Sequence, residues 1–104
     1  MKLHQLQYFC AACRNGNITR AAAELHVSQP SISMAIRELE NEFGILLLQR
    51  NNKGFEITRE GTYFYERATV LLEQADELNQ MMCDMGNQRK RINLGIPPMI
   101  GTFL

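Results

Sequence analysis

The sequence predicts a mainly α protein, a winged helix-turn-helix of three helices and a two-stranded wing, followed by one long helix. Three observations carry that prediction. Apolar residues recur at helical spacing in three short segments bounded by capping residues. An Asn- and Gly-rich turn, Arg50-Asn-Asn-Lys-Gly54, separates two strand-like runs. The apolar series Phe64, Ala68, Leu71, Ala75, Leu78, Met82 and Met85 repeats at alternating spacings of four and three.

The first helix is expected over 3–14, where Leu3, Leu6, Phe9, Cys10 and Cys13 form an apolar face, and Asn15-Gly16 ends it. Asn17 is placed to N-cap a second helix over 18–25, whose alanine run lets a neighbour cross at close range. His26-Val27 is a tight connection. Ser28 then caps a third helix over 29–43, with Pro30 in its first turn and Gly44 at its end. Ile32, Ile36, Leu39 and Phe43 give that helix a buried stripe, while Pro30, Met34, Arg37 and Asn41 occupy the opposite face. The hairpin is expected from Ile45–Gln49 and Phe55–Thr58, with Phe55 and Ile57 on one face and Glu56 on the other. Thr58 can cap the helix after it.

From 59 to 86 a continuous helix is expected, roughly 42 Å long, which is more than a small domain needs. Its heptad seam, Phe64, Ala68, Leu71, Ala75, Leu78, Met82 and Met85, is the pattern of a dimerisation helix, with packing inside the monomer as the alternative. Gly86–Arg91 reads as a polar, basic linker, and Ile92-Asn-Leu-Gly-Ile96 as a strand without a partner. The expected division is therefore 1–58 for the winged domain, 59–86 for the dimerisation helix, and 87–104 for a hinge and the start of a further domain. Without the sheet it belongs to, 92–104 is expected to be poorly ordered or to pack opportunistically on a neighbour.

Composition is that of a water-soluble globular protein, 45% apolar and 21% charged. No run approaches the roughly 20 apolar residues of a membrane span, and no signal core opens the chain, so cytoplasmic residence is the expectation. The formal net charge is zero, but charge is sorted along the chain. Arg59 and Arg67 face six carboxylates between 59 and 85, whereas Arg89, Lys90 and Arg91 carry no acidic neighbour after 86. Cys10 and Cys13 have metal-ligand spacing without a second pair, so they read as core, and no metal site is expected. His4 and His26 lack a nucleophile to serve, and no glycine-rich phosphate loop exists, so enzymatic chemistry is not indicated.

The order helix, helix, tight turn, helix, hairpin suits double-stranded DNA, because a major groove admits one α-helix, read through its N-terminal residues. Within 28–37, Gln29 can pair with the adenine edge, the serines can bond bases or phosphates, Met34 can touch a thymine methyl, and Arg37 can reach a phosphate or guanine. Arg50 and Lys53, expected at the hairpin tip, can clamp the backbone or enter the minor groove. Taken singly, these residues have plainer readings: an N-cap and first turn for the serines and Gln29, and a solvated face beside Glu38 or Glu40 for Arg37. The competing function is a dimeric coiled-coil module whose winged domain binds another protein, a reading favoured by the neutral charge.

Residues 5–61, from Gln-Leu-Gln-Tyr-Phe through Ala-Ala-Ala-Glu-Leu-His-Val-Ser-Gln-Pro-Ser-Ile-Ser to Phe-Glu-Ile-Thr-Arg-Glu-Gly, resemble the signature of LysR-type transcriptional regulators. The similarity extends along the long helix to Ile92–Ile96, which resembles the opening strand of that family's effector-binding domain. The resemblance implies a helix-turn-helix at about 18–37, a wing at 45–57, and a linker helix pairing two protomers. It also implies a homodimer or tetramer on interrupted inverted repeats. No cofactor is expected in these residues, and a small-molecule co-inducer is implied for the effector domain. By the same resemblance Ser28, Gln29, Pro30, Ser31 and Ser33 match the reading segment, Arg50 the wing arginine, and Thr19 and Arg20 the start of the first motif helix. Met34 stands where many members carry Arg or Lys, and Glu56 where the wing is often basic.

Overall fold

The computed structural model describes the backbone of residues 1–92 and the side chains through Arg89. The elements are α1 (Leu3–Asn15), α2 (Ile18–Leu25), α3 (Gln29–Phe43), β1 (Leu48–Asn51), β2 (Gly54–Ile57) and α4 (Arg59–Ile92). The chain divides into two units, Met1–Leu72 and Glu73–Leu104.

In the first unit the helix ends follow from local chemistry. Asn17 accepts a hydrogen bond from the Arg20 N–H at 2.9 Å and starts α2. Ser28 accepts from the Ser31 N–H at 3.2 Å and starts α3. Gly16 and Gly44 end α1 and α3 in the left-handed region, at φ 65° and 69°, where a Cβ is costly. His26 ends α2 with φ 58°, the one non-glycine residue with positive φ among the described residues.

Leu6, Phe9, Cys10 and Ala12 of α1, Ala21 and Ala22 of α2, and Ile32, Ala35, Ile36 and Leu39 of α3 are all buried, and Leu47, Leu48 and Ala68 close the core. Ala21 and Ala22 let α2 cross its neighbours without long side chains between the backbones. The buried Gln5 ties α1 to α3: its amide oxygen accepts from the Lys2 N–H at 2.8 Å, and its Nε2 donates to Glu38 at 2.9 Å. Both polar atoms of that buried amide therefore have partners, which burial demands.

The hairpin corrects the sequence reading. The strands pair antiparallel with Leu48 opposite Ile57, Gln49 opposite Glu56, Arg50 opposite Phe55 and Asn51 opposite Gly54. The first strand therefore begins at Leu48, not Ile45, and the second ends at Ile57, not Thr58. The reason lies in where the backbone hydrogen bonds go. The Leu47 and Leu48 N–H groups donate to the Glu40 carboxylate at 2.9 and 3.1 Å. The Leu47 carbonyl accepts from the Thr58 N–H at 3.1 Å, and the Thr58 hydroxyl donates to the Leu46 carbonyl at 2.7 Å. Thr58 then accepts from the Gly61 N–H at 2.9 Å, capping α4 as expected.

Two further expectations change. Phe43 is 43% exposed despite its place in the apolar stripe. It sits on the last turn of α3, where its ring meets that of Phe64, 6.0 Å away between centroids. In the seam, Phe64 is half-buried with its ring edge-on to Phe9 at 5.3 Å, and Ala68 is packed in the core. These two positions are used inside the chain. The exposed apolar positions of the seam begin at Leu71.

In the second unit, residues 73–92 are all helical. The expected linker at 87–91 is therefore helix. Gln88, Arg89, Lys90 and Arg91 are good helix formers, and one glycine costs only about 1 kcal/mol against alanine. Among the side chains described, none in this unit is buried, and Leu78, Met81, Met82 and Met85 are each at least half exposed. The strand expected at 92–96 and the disorder expected over 92–104 lie outside the described residues, save Ile92, which ends α4.

The cysteines lead to a first testable outcome. Burial pushes the Cys10 thiol up, and burial together with the neighbouring Cys10 pushes Cys13 up to about 12. Cys83 is exposed. Because the thiolate is the nucleophile, a brief alkylation at pH 8 is expected to label Cys83 alone. Labelling of Cys13 in the native protein at a comparable rate, read by peptide mass, would contradict this packing.

Candidate nucleic-acid interface

On α3 the residues Gln29, Pro30, Ser33, Met34, Arg37 and Asn41 share an arc of about 140° on a helical wheel. The opposite arc carries Ile32, Ala35, Ile36 and Leu39, all buried. The core thus fixes which face of α3 points outward. Gln29, Pro30, Ser31, Met34 and Arg37 are exposed, and Ser33 is half-buried. Met34 is 59% exposed. An unbranched apolar side chain left in water on this face suits contact with a partner that offers methyl groups.

The start of α3 offers a phosphate less than the sequence suggested. Ser28 and Ser31 hydroxyls are 2.8 Å apart and bonded to each other, the Ser31 N–H is taken by the Ser28 cap, and Pro30 has no N–H. Ser28 acts first as the cap. Gln29 keeps its side chain exposed beside this turn.

The cations divide clearly. Arg14 is bonded to Glu24, which also accepts from Asn15 at 2.8 Å. Those bonds, Asn15 first and Arg14 second, hold the Glu24 carboxyl below its ordinary range. Arg37 lacks any such partner: Glu38 accepts from Gln5, and Glu40 accepts from the wing backbone. Among the described residues no salt bridge holds Arg20, Arg37, Arg50 or Lys53. Unpaired surface guanidinium and ammonium groups are free to neutralise phosphates. Thr19 and Arg20 are exposed at the start of α2.

On the wing, Lys53 occupies the two-residue turn Asn52-Lys53, where its N–H donates to the Asn51 side chain at 2.9 Å. Gly54 comes next at φ 135°, a conformation that suits glycine. Arg50 lies within β1, not at the tip, and pairs with the half-buried Phe55. Across the other face Gln49 stands opposite Glu56. Glu40, which anchors the start of β1, is a residue that periodicity alone did not single out. Its signal, a glutamate one turn before a C-capping glycine, does not reveal what it bonds.

The seam residues Leu71, Leu78, Met82 and Met85 are exposed, with Ala75 half-buried. No group of three or more metal-ligating side chains occurs among the described residues, and no described helix is long and apolar enough to cross a membrane.

Comparison with known proteins places this geometry. Residues 3–62 match the family model described as the bacterial regulatory helix-turn-helix protein, lysR family. The Hca operon transcriptional activator HcaR of Escherichia coli (strain K12) is 38% identical over 98 residues, which is 94% of this chain and 33% of that protein. The chain thus spans about a third of the length of that curated relative. The crystal structure of a CbnR_DBD–DNA complex superposes with a TM-score of 0.76 at 38% identity, covering 83% of this chain and 99% of that one. A BenM_DBD/catB site 1 DNA complex gives the same TM-score and identity over 92% of this chain and 100% of that one. With a family model covering more than half its length, the chain belongs to the LysR family of bacterial helix-turn-helix regulatory proteins.

Proposed function

We propose that this chain is the DNA-binding and dimerising part of a LysR-type transcriptional regulator, acting on inverted-repeat operator DNA in the cytoplasm. The observation that carries the reading is the outward face of α3, where exposed Gln29, Met34 and Arg37 lie opposite a buried Ile32, Ile36 and Leu39. Gln29 and Met34 read base edges, Arg37 reads a base or holds a phosphate, and Arg50 and Lys53 hold the backbone or minor groove. Thr19, Arg20, Ser31 and Ser33 support the same surface. Among the described residues these cations have no salt-bridge partner, which suits phosphate contacts, and the DNA complexes of the solved relatives favour DNA over the protein-interaction alternative. The small-molecule co-inducer belongs, in this reading, to an effector domain outside these residues. Selection of bound duplexes from a random pool tests the proposal. An enriched inverted repeat supports it, and retention without sequence enrichment contradicts it.

The seam supports homodimers or tetramers. Leu71 is 45% exposed and Leu78 59% exposed, and the helix from 73 on buries none of its described side chains. A helix without a core of its own gains one by pairing. The seam is thin, with Ala75, Met82 and Met85 in it, so dissociation in the micromolar range is expected. Leu71→Asp is expected to weaken self-association at least about tenfold, because it buries an unpaired carboxylate. Sedimentation equilibrium checks this: a wild-type chain that remains monomeric at about 100 μM would contradict the dimer.

A further inference from the structure

We infer that Glu40 is the positioning residue that holds the wing in register with α3, and that its carboxylate geometry, not its charge, places Lys53 and Arg50 on DNA. The inference rests on the proposed DNA reading and adds to it a residue that contacts no nucleic acid itself.

Glu40 bonds both ends of the connection between α3 and the wing. Its carbonyl accepts the Gly44 and Ile45 N–H groups at 2.8 and 3.2 Å, and its Oε2 accepts those of Leu47 and Leu48 at 2.9 and 3.1 Å. The carbonyl bonds belong to the helix end and any residue could supply them. The carboxylate bonds need a side chain of this length. One oxygen, Oε2, accepts both bonds, so what the wing requires is an acceptor at that point in space. Leu47 is fully buried, so its N–H cannot be rehydrated unless the segment moves.

The wing has a second anchor on its other side. Thr58 bonds the Leu46 and Leu47 carbonyls and begins α4. With both anchors intact, β1 is fixed to α3 through Glu40 and to α4 through Thr58. Without an acceptor oxygen at that point, the wing follows α4 and leaves its register with the reading face. Lys53 and Arg50, five and two residues beyond Leu48, then lose their place, whereas Gln29 at the far end of α3 keeps its own. Net charge alone predicts the opposite, since an anion this close to the interface repels DNA and its removal should help binding.

The test uses the 104-residue chain and the duplex that the wild type selects from a random pool. Lys53→Ala is expected to make the salt slope of binding shallower by about one unit per protomer. In a Glu40→Asp background, where the carboxylate is retained but drawn back by about 1.5 Å, the slope is already shallow and Lys53→Ala adds nothing. In Glu40→Gln, which keeps an acceptor oxygen at full length and loses the charge, the Lys53 contribution returns. Gln29→Ala still weakens the selected duplex about 5- to 150-fold in every background. A full Lys53 contribution persisting in Glu40→Asp overturns the inference, and so does a Glu40→Gln protein that behaves like Glu40→Asp. A Gln29→Ala effect absent with Glu40 intact refutes the DNA reading instead, so the two failures are distinguishable.

Discussion

Gly61→Ala is expected to destabilise the first unit by about 3 kcal/mol or more. A Cβ built at Gly61 would overlap the Leu47 carbonyl oxygen and lie 3.0 Å from a methyl of Ile57. That oxygen cannot retreat freely, because it accepts from the Thr58 N–H and the residue's own N–H is held by Glu40. Alanine would normally gain about 1 kcal/mol over glycine inside a helix, so the clash must first cancel that gain. In a domain of this size the net loss lowers Tm by on the order of 15 °C. Gly86→Ala supplies the contrast. Nothing lies within 4 Å of its Cβ position, and the same substitution there is expected to stabilise α4 by up to about 1 kcal/mol. Thermal unfolding of the two variants checks this pair of expectations. Equal Tm shifts of the same sign would contradict it.

The parts of this fold that were legible in the sequence are those decided by neighbours along the chain. The bounds of α2 and α3 follow from Asn17, Ser28 and Gly44, whose caps act over three or four residues. The outward face of α3 was legible for the same reason, since Ile32, Ile36 and Leu39 sit at helical spacing and do become core. What was not legible depends on partners far along the chain. Ile45–Leu48 looks like a strand, but the 45–47 stretch bonds Glu40 and Thr58 in place of a strand partner. The heptad repeat runs unbroken through Phe64 and Ala68, yet Phe9 and the rest of the core take both. Periodicity identifies an apolar stripe without saying which surface it meets. Gly86 looked like a helix end, but good helix formers on both sides of it carry the helix to Ile92.

The central claim is that the N-terminal half of α3 reads base edges, and Gln29→Ala tests it most directly. The Gln29 side chain is exposed in the first turn of α3, and no hydrogen bond inside the protein explains its presence among the described residues. Its truncation should therefore leave folding unchanged and remove only what the side chain gives to DNA. A bidentate contact to an adenine edge is worth about 1–3 kcal/mol of discrimination, whereas non-specific binding draws almost wholly on phosphate neutralisation by cations. The measurement is the affinity of wild type and Gln29→Ala for the selected duplex and for a scrambled duplex of equal length, at one salt concentration. The expected result is a loss of about 5- to 150-fold on the selected duplex and almost none on the scrambled one. Equal losses on both, or none on either, would show that the helix beginning at Ser28 is not the reader.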